Sequence, residues 1–361
     1  MLEPDIMRLC NKSVLFILIL VSTLTLEAQQ PAPPAAQPQA PSLTVDRDPV
    51  RSPDAETTPT TGNEPLKREG ESYVLHTDVE EVVLNTTVLS SSNQLIQNLK
   101  KENFQVFEDG AKQTIVSFQH SDLPVSIALV VDNSGSMSKK RPSVNKAALD
   151  LVEASNPQDE AFVVNFSDEA YIDQEFTSNV NKLRDGLAHI ESRGGTALYD
   201  AVVASADKLV SDANRPKQVL VIVTDGEDNA STLSLEQTIR RVQELSGPVI
   251  YSIGLLFGDE MSRAEVRHAK RALEMLSTET GGIAFFPKNI EQVDEIAAEV
   301  ARDIRSQYTI GYRSNKPSNQ PGFRRVQVTA EEPGTGKLTV RTRTGYFPES
   351  RTKKAGAAKK Q

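Results

Sequence analysis

Between Leu123 and Asp303 the apolar positions follow two alternating rhythms. VSIALVV and QVLVIVT are unbroken apolar runs. Runs of this length and β-branched content predict strands buried on both faces. Between and after them, VNKAALDLVEAS, LYDAVVASADKLV, LEQTIRRVQEL and VDEIAAEVARDI carry apolar residues at helical spacing. AFVVNF, VIYSIGLL and IAFF add strands, AYID reads as a short edge strand, and VNKLRDGLAHI and residues 264–278 add amphipathic helices. Strands alternating with helices predict an α/β unit over 122–304, a doubly wound, mostly parallel sheet covered on both faces.

The flanks have a different period. In NFQVFEDGAKQTIVSFQH, alternating apolar positions surround Asp109-Gly110, which predicts a hairpin inside a small β module at 71–121. QYTIGYRS, FRRVQVTA and KLTVRTRTGYF return to strand spacing over 305–348, and PGTGK suits a hairpin turn between the last two. The two β regions flank the α/β unit, and the expectation is that they pack together as one small sandwich. From 29 to 70 the chain holds nine of its twenty prolines. A segment of this composition cannot bury enough apolar surface to offset ordering and reads as a disordered linker. Residues 349–361 read as a basic disordered tail.

Charge and composition narrow the function. A net charge of -9 argues against broad nucleic-acid binding. The four histidines are scattered, without metal-ligand spacing. Arg8 and Lys12 precede VLFILILVSTLTL, an apolar run of about 13 residues. That is shorter than the roughly 20 a spanning helix needs and suits a secretory signal over 1–28. Leu26 is large where a cleavage site prefers a small residue, so an uncleaved anchor through residues 14–26 is the alternative. The expected location is outside the cytoplasm: periplasm, cell surface or medium. The single cysteine, Cys10, lies before that run, so a cleaved chain has no disulfide and no thiolate chemistry.

In an open parallel sheet, ligands sit beyond the carboxyl ends of the strands. Three polar sets fall there: Asp132, Ser134 and Ser136 after VSIALVV; Asp225 after QVLVIVT; and Thr196 in the glycine-rich SRGGTALYD. Two carboxylates and three hydroxyls, without imidazole or thiolate, suit a hard divalent cation, Mg²⁺ ahead of Mn²⁺ or Ca²⁺. Such an ion would keep a position for an oxygen from outside, and a protein partner's acidic side chain is the most suitable donor. Each residue also has a plain structural alternative. Asp132 could end a strand, Ser134, Ser136 and Thr196 could cap helices, and Asp228 and Asn229 could be solvated turn residues.

DNSGSM resembles the D-x-S-x-S motif of von Willebrand factor type A domains, and Thr196 and Asp225 match that family's later threonine and aspartate. The resemblance implies a Rossmann-like fold and a metal-ion-dependent adhesion site. Ser134 and Ser136 would bind the ion directly, Thr196 directly in the ligand-holding state, and Asp132 and Asp225 directly or through water. It leaves Glu227 and Asp228 outside the ion's ligands. The β flanks are similar to those of bacterial exported relatives of the family. The function expected is metal-dependent protein binding, in adhesion or assembly, without catalysis. The alternatives are a structural envelope domain with a stabilising metal, or a metal-dependent phosphohydrolase. Haloacid-dehalogenase-like phosphatases want a second aspartate two residues after the first, where this chain has Ser134. Lys139, Lys140 and Arg141 follow the motif and read either as a solvated loop or as a charge that steers an acidic partner.

Overall fold

The structure is a computed structural model that describes residues 44–45 and 81–348, apart from 155, 189–191, 246, 259–260 and 335. The expected signal or anchor, the basic tail, residues 71–80, and the linker other than 44–45 lie outside the described residues.

One seven-stranded sheet forms the α/β unit. Its central strand β5 (Val125–Asp132) is followed by α1 (Arg141–Glu153), β6 (Glu160–Phe166), β7 (Ala170–Thr177), α2 (Val180–Ala188) and α3 (Leu198–Asp212). Then come β8 (Lys217–Thr224), α4 (Leu235–Leu245), β9 (Val249–Gly254), α5 (Arg263–Thr280), β10 (Ala284–Phe285) and α6 (Val293–Arg305). A two-residue strand β1 (Thr44–Val45) gives the order β1-β7-β6-β5-β8-β9-β10. All neighbours are parallel except β6 and β7. The AYID segment is thus part of an eight-residue strand, and β1 lies outside it.

Every residue of β5 is buried, yet its side chains divide between two layers. Val125, Ile127, Leu129 and Val131 pack with α1, α2 and α6. Ala128 and Val130 pack with α3, α4 and α5 on the other face. This division explains the unbroken apolar run: period-two alternation still operates, but both faces are covered. After β5 the chain winds to β6 on one side, and β8 takes the other side. The ends of β5 and β8 therefore flank the point where the winding reverses, where such sheets open a crevice.

The flanking regions build a second, antiparallel seven-stranded sheet. It consists of β2 (Glu81–Leu89), β3 (Phe104–Glu108), β4 (Ala111–Gln119), β11 (Tyr308–Arg313), β12 (Arg324–Ala330), β13 (Thr339–Arg341) and β14 (Gly345–Tyr346), in the order β13-β2-β11-β4-β3-β12-β14. Two expectations are corrected. The regions do not stack as a two-sheet sandwich, because β11 inserts between β2 and β4 in a single sheet. Its end strands β13 and β14 are separated by only three residues, so the sheet curls. PGTGK does not close a hairpin either: β12 pairs with β3 and β14, while β13 pairs with β2. Asp109 and Gly110 join β3 to β4 with φ of 47° and 81°, the positive values a two-residue hairpin turn requires.

α6 runs almost directly into β11. Arg305 pairs with Asp122 at 2.7 Å and also with Asp159, and Asp303 accepts from Arg341 at 2.5 Å. These charges tie the end of the last helix to both sheets. Among the described residues no helix is long and apolar enough to cross a membrane.

Candidate functional site

The parallel register Val131↔Val223 carries on past the last paired residues and sets Asp132 beside Thr224. The Thr224 hydroxyl donates to Asp132 Oδ2 at 2.5 Å, and the Ser134 N–H donates to Oδ1 at 2.7 Å. Both oxygens of a fully buried carboxylate are thereby held, and the chain turns sharply after β5. Ser134 precedes a short 3₁₀ turn, Gly135–Lys139, without capping it by its side chain. Its hydroxyl instead lies 3.1 Å from Ser136 Oγ, and Ser136 Oγ donates to Asp225 Oδ1 at 2.7 Å.

Thr196 arrives from a third loop. Helix α3 starts at Leu198 with Ala197 at its cap, so the threonine hydroxyl does not cap it. A Cβ placed on Gly226, the residue after Asp225, would lie 3.3 Å from Thr196 Oγ1. All five residues singled out from the sequence are thus gathered at the ends of β5 and β8 and the start of α3. The spacings of 2.7 and 3.1 Å among Ser134, Ser136 and Asp225 oxygens bracket the ~2.9 Å edge of an octahedron with Mg²⁺-length bonds. Carboxylate and hydroxyl oxygens are donors of the kind a small hard cation takes. Among the described residues no group of three or more His, Cys, Asp or Glu is placed to hold a metal, and the candidate set has only two acids.

Two residues that the sequence did not assign to the site hold the threonine loop. Asp168 Oδ1, in the turn after β6, accepts from Gly195 N at 2.7 Å. Asn229 Oδ1 accepts from Thr196 N at 2.9 Å, while Asn229 N donates back to Thr196 O at 3.0 Å. Asn229 is exposed, as a turn residue would be, and it also clamps the threonine loop. Asp228 is half-buried and accepts from Tyr199 N at 3.0 Å and Ser231 Oγ at 2.5 Å. The only signal for the clamp was its place just after a strand-end acid, and its partner became visible only with the topology.

Burial raises the Asp132 carboxyl to about 6. The bonds from Thr224 and Ser134 oppose that rise, and the neighbouring Asp225 charge adds to it. The basic run is not a solvated loop. Arg141 is buried and donates to the backbone oxygen of Asp132 at 3.2 Å. Burial lowers its guanidinium to about 10, against the pull of Asp173 and Asp132. Lys140 turns inward onto Asp225, and of the three only Lys139 is exposed.

A family model described as the von Willebrand factor type A domain matches residues 127–227. The human inter-alpha-trypsin inhibitor heavy chain H4 is 28% identical over 243 residues, covering 61% of this chain and 25% of its own length. Its bovine counterpart is 25% identical over 241 residues, 60% of this chain and 25% of its own. This chain thus spans about a quarter of the length of these relatives. Among solved structures, a von Willebrand factor type A protein from Catenulispora acidiphila is 12% identical, with 77% of this chain and 76% of that one covered and a TM-score of 0.44. The corresponding domain of the type V pili tip protein Mfa5 from Porphyromonas gingivalis is 11% identical, with 51% and 95% covered and a TM-score of 0.41. The matched segment starts within β5 and ends just beyond Asp225, inside the doubly wound sheet, so residues 127–227 match a von Willebrand factor type A domain.

Proposed function

We propose that this protein binds another protein through a divalent cation held at the rim between β5 and β8. The observation that carries the proposal is the convergence of Asp132, Ser134, Ser136, Thr196 and Asp225 from three loops on one sheet edge. Ser134, Ser136 and Thr196 would offer hydroxyl oxygens, and Asp132 and Asp225 carboxylate oxygens. Mg²⁺ suits the set best, with Mn²⁺ or Ca²⁺ as substitutes. When bound, the cation supplies positive charge that two carboxylates and neutral hydroxyls leave open to one more anionic oxygen.

The protein's own groups do the rest. Thr224 and the Ser134 N–H orient Asp132, and burial keeps water from competing for its oxygens. Asp168 and Asn229 hold the threonine loop in reach. Ser136 is exposed, so the rim opens outward to a partner, which we take to present an Asp or Glu side chain. No step breaks a covalent bond, and Ser134 stands where a phosphatase of the dehalogenase type would need its second acid. With the export signal read at the start of the chain, the setting is the cell envelope or surface, in adhesion or assembly.

The test is cation titration of the full chain by calorimetry, wild type beside Asp132→Ala and Ser134→Ala. Both variants should lose Mg²⁺ and Mn²⁺ binding, and unchanged affinity in both would sink the site. Partner capture from an envelope extract should then require Mg²⁺. Equal capture in chelator would refute the cation-dependent role.

A further inference from the structure

Lys140 is set into the rim. Its ammonium lies 2.6 Å from Asp225 Oδ2, with 15% of the lysine side chain and none of the aspartate side chain exposed. The ring of Phe257, which packs against the core under α1 and α6, lies 5.4 Å from the same nitrogen. Ser136 already engages the other oxygen of Asp225. The protein's own donors therefore engage both oxygens of Asp225, and one of these donors is a positive charge.

We propose that Lys140 is a tethered competitor for the cation: a divalent ion reaches Asp225 only by displacing the lysine ammonium, so Lys140 sets the concentration at which the site loads. This inference rests on the metal reading above. Its physical basis is charge. Asp132 and Asp225 together offer -2 when ionised, and Lys140 reduces that to -1. A dication and an ammonium on one enclosed carboxylate would stand a few ångströms apart, where repulsion in a weakly screened site far exceeds thermal energy. One of them has to leave. Lysine can do so, because its flexible stem and compact head reach solvent with few bonds to break. Arg141 cannot take over, since its guanidinium is buried beneath Asp132 on the backbone oxygen. The exchange leaves the rim with more positive charge than the ion alone would give, which suits an acidic partner.

The experiment is calorimetric titration of the full chain with MnCl₂ after chelation and dialysis. Wild type is compared with Lys140→Gln, Lys140→Arg and Asp225→Asn, and thermal melts in chelator verify that each is folded. Lys140→Gln should bind Mn²⁺ at least tenfold more tightly than wild type. Lys140→Arg keeps the charge and should bind no better than wild type, and Asp225→Asn should lose binding. If Lys140→Gln binds no more tightly while Asp225→Asn abolishes binding, the competitor role is overturned and the site stands. If neither wild type nor Lys140→Gln binds Mn²⁺ at millimolar concentration, the site reading falls and the inference falls with it.

Discussion

Replacing Asp132 by asparagine should make the cation-free protein more stable. In the unfolded chain this carboxyl titrates near 3.8, and in the fold near 6, chiefly because it is buried. Between those values the folded protein keeps a proton that the unfolded chain has lost. Stability therefore falls as pH rises through that window, and the full penalty is present above about 6. A displacement of roughly two pH units corresponds to about 3 kcal/mol. Asparagine has the same shape without the charge, and its oxygen can still accept from Ser134 N–H. Its amide would donate to Thr224 Oγ1, leaving the threonine proton without Asp132 as acceptor, at ~1 kcal/mol. The net gain expected at pH 7.5 is about 2 kcal/mol, vanishing or reversing near pH 4. Urea unfolding of wild type and Asp132→Asn, in chelator at both pH values, measures it. A variant no more stable at pH 7.5, or one whose advantage is the same at pH 4, refutes the claim that the rim holds an ionised carboxylate against its burial. Adding Mg²⁺ should reverse the ranking, because only wild type can gain linkage stabilisation, ~2.7 kcal/mol at a hundred times the dissociation constant.

Two further outcomes test the scaffold. Lys217 is buried and donates to Ile304 O at 2.7 Å, and burial followed by the Arg305 charge lowers its ammonium to about 8, against Asp122, Asp303 and Asp159. The unfolded chain binds the extra proton between about 8 and 10.5, so wild type should gain up to about 3 kcal/mol relative to Lys217→Met as pH rises across that window; parallel pH profiles in urea unfolding would contradict it. Gly194 has φ of 81°, and a Cβ there would fall on the Asp168 carboxylate. Gly194→Ala should cost about 1–2 kcal/mol from the left-handed backbone alone, plus the clash. Adding Asp168→Ala should recover the clash portion, and strict additivity in the double variant would show that the two do not meet.

What could be read from the chain differs between the two sheets for a physical reason. In the α/β unit, period, run length and chain order are local signals, and they also determine which strand covers which helix. The second sheet depends on choosing partners far apart in sequence. Tyr308–Arg313 inserts between strands more than 180 residues earlier, and no local period records that choice. The glycines of PGTGK do turn the chain, with φ of 89° and 70° at Gly334 and Gly336, yet the strands on either side leave for different partners. A turn residue specifies a bend, and pairing follows from whichever edges are open.

At the rim, each residue by itself had an ordinary structural explanation, and register is what selects among those explanations. Because β5 and β8 are parallel and in step, the acid ending one strand meets the threonine ending the other, and the next acid meets the hydroxyl of Ser136. The basic run was misjudged as a surface feature for the converse reason. Charged residues are normally solvated because burial penalises an unpaired ion, but a lysine and an arginine following a strand-end aspartate have acids and a carbonyl ready to receive them. Lys140 takes Asp225 and Arg141 takes the Asp132 backbone, so the positive charges that suggested steering are part of the rim's own balance. In an acidic strand-end site, the nearest basic residues therefore have to be assigned together with the acids, because each decides how much charge the other presents.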